Sequence, residues 1–291
     1  AGASGAGGGD YQIEKSCRFN GDDDAHLNRT FDSGGSTTTW TLSFWIKGHD
    51  TAQACYVFTG GTGTNSYITM DAGQFRFYSS AHDLKSEARY RDPAAWYHFV
   101  VVADTTDSTD NDKTRVYVNG TRIAVADFAT HTQPSDSVAL GDFGSAAAHY
   151  FNRLTTGSQE DFMLADVHFI DGTALDADSF GETNEDTGQW VAKKYSGSYG
   201  TNGFYLKFDN ASDLGEDSSG NDNDWTANNL TADPGVATTL VSADTFSDDV
   251  TASGAFDGTR TADKMFVADR TDASNMYAYV SGTTGNEWIK W

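Results

Sequence analysis

One hairpin near the middle of the chain restricts the possible folds more than any other feature of the sequence. Residues 96–124 read WYHFVVVADTTDSTDNDKTRVYVNGTRIA, in which an apolar segment, an acidic loop and a second apolar segment precede Asn119 and Gly120. An Asn-Gly pair between short alternating runs is the strongest local signal of a type I′ turn, because both residues tolerate a positive φ. The sequence therefore predicts an antiparallel β unit here.

Similar short strands recur along the chain, and no convincing amphipathic helix separates them. Residues 41–47 place Leu42 and Phe44 on one face, which is the period-two alternation of a strand with one buried side. Residues 96–103 are apolar on both faces, as expected of a central strand. The other predicted strands are 13–20, 55–58, 67–70, 75–78, 115–119, 122–125, 138–140, 162–170 and 204–208. Many short strands with Gly and Asp turns are typical of a β-sandwich or jelly roll.

The charge of the chain excludes one class of partner. Forty-two acidic residues, all but seven of them Asp, face 19 basic ones and give a net charge of −23. A polyanion of this size is repelled by a phosphate backbone, so we expect no nucleic acid partner. No run of about 18 apolar residues occurs, so we expect no membrane insertion.

Cys17 and Cys55 lie among apolar strand residues and are predicted to be buried free thiols, with a single disulfide as the alternative.

Changes in residue composition and hydrophobic pattern divide the chain into four parts. Residues 1–10 are a Gly-rich tether, and residues 11–208 hold the predicted sandwich. Residues 209–235 are polar and end in Pro-Gly, which predicts a linker or an ordered wrap over the sandwich. Residues 236–291 resume weak alternation and predict a partial second β domain. Because that segment ends in the strand-like WIKW, we expect it to be truncated.

Two loops carry closely spaced side-chain oxygens, the ligands that Ca²⁺ prefers. These residues are Asn20, Asp22, Asp23 and Asp24 in the first loop, and Asp217, Ser219, Asn221 and Asn223 in the second. The second loop has the every-other-residue spacing of a calcium loop but lacks a closing bidentate Glu. A third acidic cluster is formed by Asp107, Asp110 and Asp112. We predict Ca²⁺ as a cofactor, and the alternative for each loop is a solvated polar turn.

Six segments of the chain resemble a known family when they are taken in order. They are CRFNGDDDAHL, TLSFWIKG, WYHFVVVAD, RVYVNGTRIA, SVALGDFG and FMLADVHFIDGTAL. Together they resemble the successive strands of LamG-like domains of the concanavalin A-like lectin/glucanase superfamily. The resemblance implies an all-β fold, a two-sheet antiparallel jelly-roll β-sandwich, with a small β-rich C-terminal segment. Residues 250–291 resemble the start of a discoidin-like, galactose-binding sandwich.

A narrower resemblance concerns the setting of the protein. The phrases VHFIDGTAL, SFGETNEDTGQW, GSYGTNGFYLKF and DSSGNDNDWTANNL are similar to segments of structural proteins of marine tailed bacteriophages. In those phages such domains occur in tail fibres and other virion appendages. The resemblance implies a location on the virion, outside any cell.

Catalysis is disfavoured by the motifs that are missing. The glucanase branch of the superfamily carries an E-x-D-x-x-E strand, which this sequence lacks, and its nearest carboxylate pairs lie in turn-like segments. No nucleophile elbow, phosphate-binding loop or H-E-x-x-H occurs. The matching family histidine packs inside the sandwich, so His98 is predicted to be a core residue, where a bond to a backbone group would satisfy its ring. Asp166 and His168 are predicted to be partly exposed, on one face with Phe162 and Leu164.

Sugar binding in this family implies rim loops with polar side chains and an aromatic ring. The residues predicted to bind a ligand are Tyr78, His82, Tyr90, His149, Tyr150 and Asn152. The sequence therefore predicts a noncatalytic structural or adhesion module of a phage virion appendage that binds host-surface glycans. Its expected partners are other virion proteins and further copies of itself, with a trimer favoured. The alternatives are a purely structural virion protein, a bacterial extracellular adhesin and a glycan-cleaving depolymerase.

Overall fold

Two antiparallel β-sheets build the first of two compact units, Ala1–Ala232 and Asp233–Trp291. The computed structural model describes residues 11–32, 34–49, 51–61, 65–154, 157 and 159–230, and three later strands at 265–267, 277–282 and 285–290. The predicted all-β, two-sheet antiparallel sandwich is confirmed. Across the part of the chain that the structure describes, no helix has the length and apolar character needed to cross a membrane.

The strands of the first unit are short, as the turn-rich sequence predicts. In chain order they are β1 (Cys17–Phe19), β2 (His26–Thr30), β3 (Thr39–Lys47), β4 (Ala54–Gly60), β5 (Ser66–Asp71), β6 (Gln74–Ser79), β7 (His82–Arg89), β8 (Tyr97–Asp104), β9 (Thr114–Val118), β10 (Thr121–Arg122), β11 (Phe128–Thr132), β12 (Ala148–Phe151), β13 (Phe162–Asp171), β14 (Gly181–Thr183), β15 (Trp190–Ala192), β16 (Phe204–Leu206) and β17 (Thr226–Asn228). Short 3₁₀ helices occupy Gly21–Asp23, Asp110–Asp112, Val125–Asp127 and Ala177–Ser179.

The two large sheets have different sizes and different edges. The seven-stranded sheet has the order β1-β13-β3-β8-β9-β10, and β16 also pairs with β13. The eight-stranded sheet has the order β11-β7-β6-β5-β4-β12-β2-β17. Strands β14 and β15 pair only with each other among the described residues.

The predicted hairpin is present, and its turn has the predicted geometry. Asn119 and Gly120 have φ values of 47° and 80°, as a type I′ turn requires, and Thr121 pairs with Val118. Two strand predictions nearby are wrong. The strand predicted at 122–125 ends at Arg122, and residues 138–140 form no strand, although Leu140 is buried and its N–H donates to the Thr37 carbonyl. Leu140 lies in a loop, and one buried apolar residue in a loop gives the same short apolar signal in the sequence as a strand does.

The core between the sheets is rich in aromatic side chains. Trp40 lies 5.5 Å from Phe77 and 5.8 Å from Phe169, measured between ring centroids, and all three are fully buried. Aromatic pairs at such distances stabilise a core beyond the area that they bury. Cys17 and Cys55 are buried and form no disulfide with each other, which confirms the prediction of two buried thiols.

A third layer covers the outer face of the seven-stranded sheet. Phe180, Trp190 and Tyr199, all from residues 172–207, pack on outward residues of β8 and β13 such as Val100 and Ile170. The two sheets therefore present different outer faces, because the outward residues of the eight-stranded sheet are mostly half-buried and polar or aromatic.

Residues 209–230 run along an edge of the eight-stranded sheet. Trp225 is 2% exposed within the main core, and β17 pairs with β2. In the second unit, β18 (Met265–Val267), β19 (Tyr277–Gly282) and β20 (Gly285–Lys290) form a three-stranded antiparallel sheet. The predicted tether at 1–10 lies outside the described residues, as does most of 236–291, so the discoidin-like domain stays a prediction.

Candidate functional site

One row of side chains crosses the eight-stranded sheet on its outer face. In the strand register Tyr150 lies opposite Thr59, and Thr59 lies opposite Tyr67. Tyr67 in turn lies opposite Tyr78, and Tyr78 lies opposite Asp83. Residues directly opposite one another share a face of the sheet, and the residues that alternate with this row belong to the core. Five adjacent strands therefore contribute to one continuous surface.

A second row runs beside the first and adds charged groups. Tyr56, Arg76 and Lys85 occupy it, on β4, β6 and β7. We use the term tyrosine face for the following group of residues: Tyr56, Tyr67, Tyr78, Tyr150, Arg76, Asp83, Lys85 and Asp71. The four charged side chains are between 20% and 36% exposed, so they are accessible but held in place.

The rings of the tyrosine face pack against one another. Tyr67 and Tyr78 stack with centroids 4.8 Å apart and planes 22° apart, and Tyr56 meets Tyr67 edge-on at 5.4 Å. The Arg76 guanidinium lies over both stacked rings, 4.9 Å from the Tyr78 centroid and 5.7 Å from that of Tyr67. Such cation–π contacts fix the positions of the rings. Burial raises the pKa of Tyr67, so its hydroxyl stays protonated at neutral pH.

The charged groups of the tyrosine face are paired. Arg76 binds Asp83 in a fork, with Nε at 2.9 Å from Oδ1 and Nη2 at 2.8 Å from Oδ2. Lys85 Nζ lies 2.7 Å from Asp71 Oδ2. Bidentate Arg–carboxylate pairs are geometrically specific, so this arrangement holds the surface in one conformation.

The tyrosine hydroxyls on the two sides of the sandwich differ in their hydrogen bonding to protein. The hydroxyl of Tyr117 donates to Asp176, and that of Tyr205 donates to Asp166, both on the seven-stranded side. Within the described residues, none of the four hydroxyls of the tyrosine face hydrogen-bonds to protein. A phenolic hydroxyl is both a donor and an acceptor, so these four groups are available to a ligand.

The structure brings together only two of the residues predicted to bind a ligand. Tyr78 and Tyr150 lie on the tyrosine face, on β6 and β12, with β5 and β4 between them. Tyr90 lies elsewhere, half-buried against Phe99 at 5.2 Å, where burial raises its pKa to about 12. The sequence reasoning missed Tyr56, Tyr67 and Arg76. The register between the predicted strands 55–58, 67–70 and 75–78 is the signal that would have found them.

Three predicted ligand residues are wrong, because the structure buries them. His82 is 2% exposed, and His149 and Asn152 are fully buried. His149 stacks on Phe31 at 3.9 Å, and its Nδ1 contacts the Ala147 carbonyl. Asn152 adopts a left-handed φ of 59° and donates to the Ala25 and Glu160 carbonyls. His149 and Asn152 satisfy backbone groups inside the fold, and none of these three buried side chains can reach a sugar.

The second predicted calcium loop is held by protein donors. Asp217 Oδ1 accepts the N–H groups of Tyr205 and Ser219, and its Oδ2 accepts the Asn223 N–H and the Ser219 hydroxyl. Asn221 and Asn223 direct their amide N–H₂ groups to backbone carbonyls. Both Asp217 oxygens, Ser219 Oγ and Asn223 Oδ1 already face donors, so these residues do not fit a calcium site. They act as the hydrogen-bonding centre of the loop.

The first predicted calcium loop is more open. Asp22, Asp23 and Asp24 are exposed, while the Asn20 amide donates to Asp23 and the Gly21 N–H donates to Asp161 at 2.8 Å. No three His, Cys, Asp or Glu side chains of the described residues are grouped as a metal site would group them. Calcium at Asn20, Asp22, Asp23 and Asp24 stays a prediction.

A buried polar network lies under the third layer, where partial exposure was predicted. Asp166 and His168 are 2% and 1% exposed, so that prediction is wrong. The hydroxyls of Tyr11 and Tyr205 donate to the Asp166 carboxylate, and His168 Nε2 lies 3.3 Å from it. Burial pushes the Asp166 pKa upward, but His168 and the two hydroxyls outweigh that effect, so the pKa is lowered.

A β-bulge explains why the alternation misled the prediction. The register of β13 shifts between Ala165 and His168, and Asp166 has a φ of 50°. One extra residue moves the following side chains to the other face of the sheet, so Leu164 and Val167 both point into the core. Asp166 is thereby turned to the outer side of the seven-stranded sheet.

His98 is buried as predicted, but its surroundings differ from the prediction. It lies on the outer side of the seven-stranded sheet, stacked on Trp45 at 4.7 Å. Its Nδ1 accepts the Trp190 indole N–H at 2.9 Å, so Nε2 carries the proton and donates to Ser43 Oγ at 2.8 Å. Burial lowers the His98 pKa to about 3. A histidine that donates to a serine cannot activate it as a nucleophile.

Comparisons with known proteins agree with this fold. A family model described as the concanavalin A-like lectin/glucanases superfamily (Laminin_G_3) matches residues 19–177, more than half of the chain. A search of curated protein sequences finds no match.

Several solved structures resemble the chain at low identity. A heptameric SAP-like pentraxin from Limulus polyphemus is 15% identical, with a TM-score of 0.40 over 57% of this chain and 79% of the pentraxin. A candidate carbohydrate-binding protein from Bacteroides ovatus is 14% identical, with a TM-score of 0.48 over 76% of this chain and 60% of that one. Domain 4 of a GH43 arabinanase from Geobacillus stearothermophilus, in complex with arabinotriose, is 13% identical, with a TM-score of 0.34 over 47% of this chain and 63% of that one. This chain therefore spans less than two thirds of the last two.

The match to the family model covers β2 to β13, which include most strands of both sheets of the sandwich. The chain belongs to the concanavalin A-like lectin/glucanases superfamily.

Proposed function

We propose that the chain is a noncatalytic glycan-binding module of a bacteriophage virion appendage, either a tail fibre or a surface decoration. The observation that carries the glycan-binding part is the set of four tyrosine hydroxyls on one sheet face, none of which has a protein partner among the described residues. The virion setting is supported by the sequence resemblance to phage structural proteins. In this role the module adheres to glycans on the host surface.

The chemistry of the tyrosine face suits a polyhydroxylated ligand. A sugar offers hydroxyls that both donate and accept, and phenolic hydroxyls match both roles. The described part of this surface is the face of a sheet, so we expect each site to bury little of a glycan and to bind weakly. An oligomer, for which a trimer is favoured, would raise the affinity through effective concentration.

The carboxylates of the tyrosine face do not suit glycoside hydrolysis. Such hydrolysis needs one carboxylic acid that stays protonated and a second carboxylate across the scissile bond. Asp71 and Asp83 each bind a cation of the same surface, so both carboxyl groups are already engaged by protein partners. The proposed module therefore binds glycans without cleaving them.

A glycan array probed with the whole protein tests the proposal. We expect binding by the wild type and weaker binding by a variant that combines Tyr67→Phe with Tyr78→Phe. Each lost hydrogen bond is worth about 0.5–1.5 kcal/mol, so the double variant should bind roughly tenfold more weakly. Its stability should not change, because neither hydroxyl has a protein partner among the described residues.

Tyr117→Phe is the matched control, since it removes one hydroxyl on the opposite side of the sandwich. A silent array at high protein concentration would favour a purely structural virion protein. Equal binding by the wild type and the double variant would place the site elsewhere.

Repeating the array in EDTA tests the calcium prediction. Immunoelectron microscopy of phage particles tests the virion setting against the alternative of a bacterial adhesin.

A further inference from the structure

We infer that the tyrosine face binds neutral glycans rather than glycans that carry carboxylate or sulfate groups. The inference rests on the proposed glycan binding and narrows it to one chemical class of ligand. It comes from the charge balance of this surface, which differs from the balance of the whole chain.

The cations among the tyrosines are already paired. Arg76 and Lys85 are the two cations in the second row, and each already binds a carboxylate, on Asp83 and Asp71 respectively. A carboxylate or sulfate on a ligand would have to displace one of these internal partners. Displacement would leave a partly buried Asp without its cation, which costs free energy.

Two further charged residues lie next to these two ion pairs. Glu87 and Arg89 follow on β7, both are exposed, and they carry one charge of each sign. Arg89 lies opposite Gln74, four residues along β6 from Tyr78, which is about 13 Å at 3.3 Å per residue. Its guanidinium donates to the Ala72 carbonyl at 2.5 Å. It therefore lies at the end of the surface, away from the free hydroxyls.

The net charge of the tyrosine face differs from that of the whole chain. The tyrosine face contains two carboxylates and two cations, whereas the chain as a whole carries a net charge of −23. The surroundings therefore repel an approaching anion over a distance of about 10 Å at 0.1 M salt, and the surface itself offers no unpaired cation to compensate. A neutral glycan meets neither cost and can use the free hydroxyls.

The experiment uses the whole protein and a printed array with two sets of probes. One set holds neutral hexose and N-acetylhexosamine oligomers, and the other holds oligomers that carry uronic acid, sialic acid or sulfate. Binding is measured at 50 and 500 mM NaCl for the wild type, for Arg89→Gln and for Arg18→Gln. Arg18 is exposed on β1 of the other sheet, so Arg18→Gln is a control for the change in net charge.

We expect the bound probes to be neutral and their affinity to change by less than about twofold with salt, because no exposed ion pair contributes to binding. Arg89→Gln should then behave like Arg18→Gln. Binding of anionic probes that weakens about tenfold with salt or in Arg89→Gln alone would overturn the inference but leave glycan binding intact. A wild type that binds neither set would overturn both the inference and the proposed function.

Discussion

Asp166 is a charged side chain held almost entirely out of water by two tyrosines from distant segments and a histidine on its own strand. Tyr11 and Tyr205 donate to its carboxylate, and His168 lies beside it. A buried carboxylate without such partners would cost several kcal/mol. The network therefore joins the start of the described chain to the outer side of β13 and β16.

Asp166→Asn tests the contribution of this charge alone. Asn tolerates the left-handed backbone that Asp166 adopts, so the bulge should be retained. The neutral amide accepts the two tyrosine hydroxyls less strongly, and we expect the free energy of unfolding to fall by about 1–3 kcal/mol. Urea unfolding at pH 7 measures the change.

Asp178→Asn is the matched control, because Asp178 is exposed in the third layer and its substitution should change stability little. Equal stability of Asp166→Asn and the wild type would show that the network contributes no net stabilisation.

The sequence allowed the polar residues to be identified but not their roles. Tyr78 and Tyr150 were predicted as ligand residues from their type, and the structure places both on the free sheet face. His149 and Asn152 were predicted by the same reasoning and are interior groups that bond to the backbone. Residue type does not reveal burial, since an inward and an outward polar residue look alike in a single short strand.

At the scale of elements, the pair of strands β14 and β15 closes the third layer over His98. Trp190 on β15 lies against two glycines, Gly120 in the hairpin turn and Gly181 on β14. A Cβ at Gly181 would overlap the Trp190 indole ring. The absence of a side chain there allows the indole to reach the His98 ring and donate to it.

Gly181→Ala should therefore displace Trp190 from His98. Gly181 has an ordinary φ, so the cost is steric, and we expect a loss of about 1–3 kcal/mol in the free energy of unfolding. Thermal unfolding followed by tryptophan fluorescence measures it.

Combining the substitution with Trp190→Ala provides the control for the steric cause. Once the indole is gone, adding the methyl group should cost much less, and the double-mutant cycle gives that difference. An equal cost in both backgrounds would attribute the loss to the backbone of β14 instead.

At the scale of the whole molecule, three buried histidines make stability depend on pH. Burial lowers the pKa of His82 to about 3, that of His98 to about 3 and that of His149 to about 4. In an unfolded chain a histidine titrates near 6.5. Between these values the unfolded state binds more protons than the folded state, so stability is complete above pH 6.5 and falls as the pH falls.

Three such groups give a slope of up to about 4 kcal/mol per pH unit below pH 6. We therefore expect the urea midpoint to fall steeply between pH 7 and pH 5. His82→Leu should reduce the slope by about one third, because it removes one of the three titrating groups. The substitution leaves no hydrogen-bond partner unpaired, since neither ring nitrogen of His82 has one among the described residues. An unchanged midpoint across this range would contradict the prediction.

The sequence by itself determined the fold class. A type I′ turn needs residues that accept a positive φ, and a half-buried strand needs alternation, so both are written locally in the chain. Only the tertiary structure decided which outer face is free. His98 and Tyr78 both occupy outward strand positions, yet Trp190, 92 residues after His98, covers the histidine, while the tyrosine remains on an accessible surface. Exposure of an outward residue depends on whether a distant segment packs over it, and no local pattern encodes that.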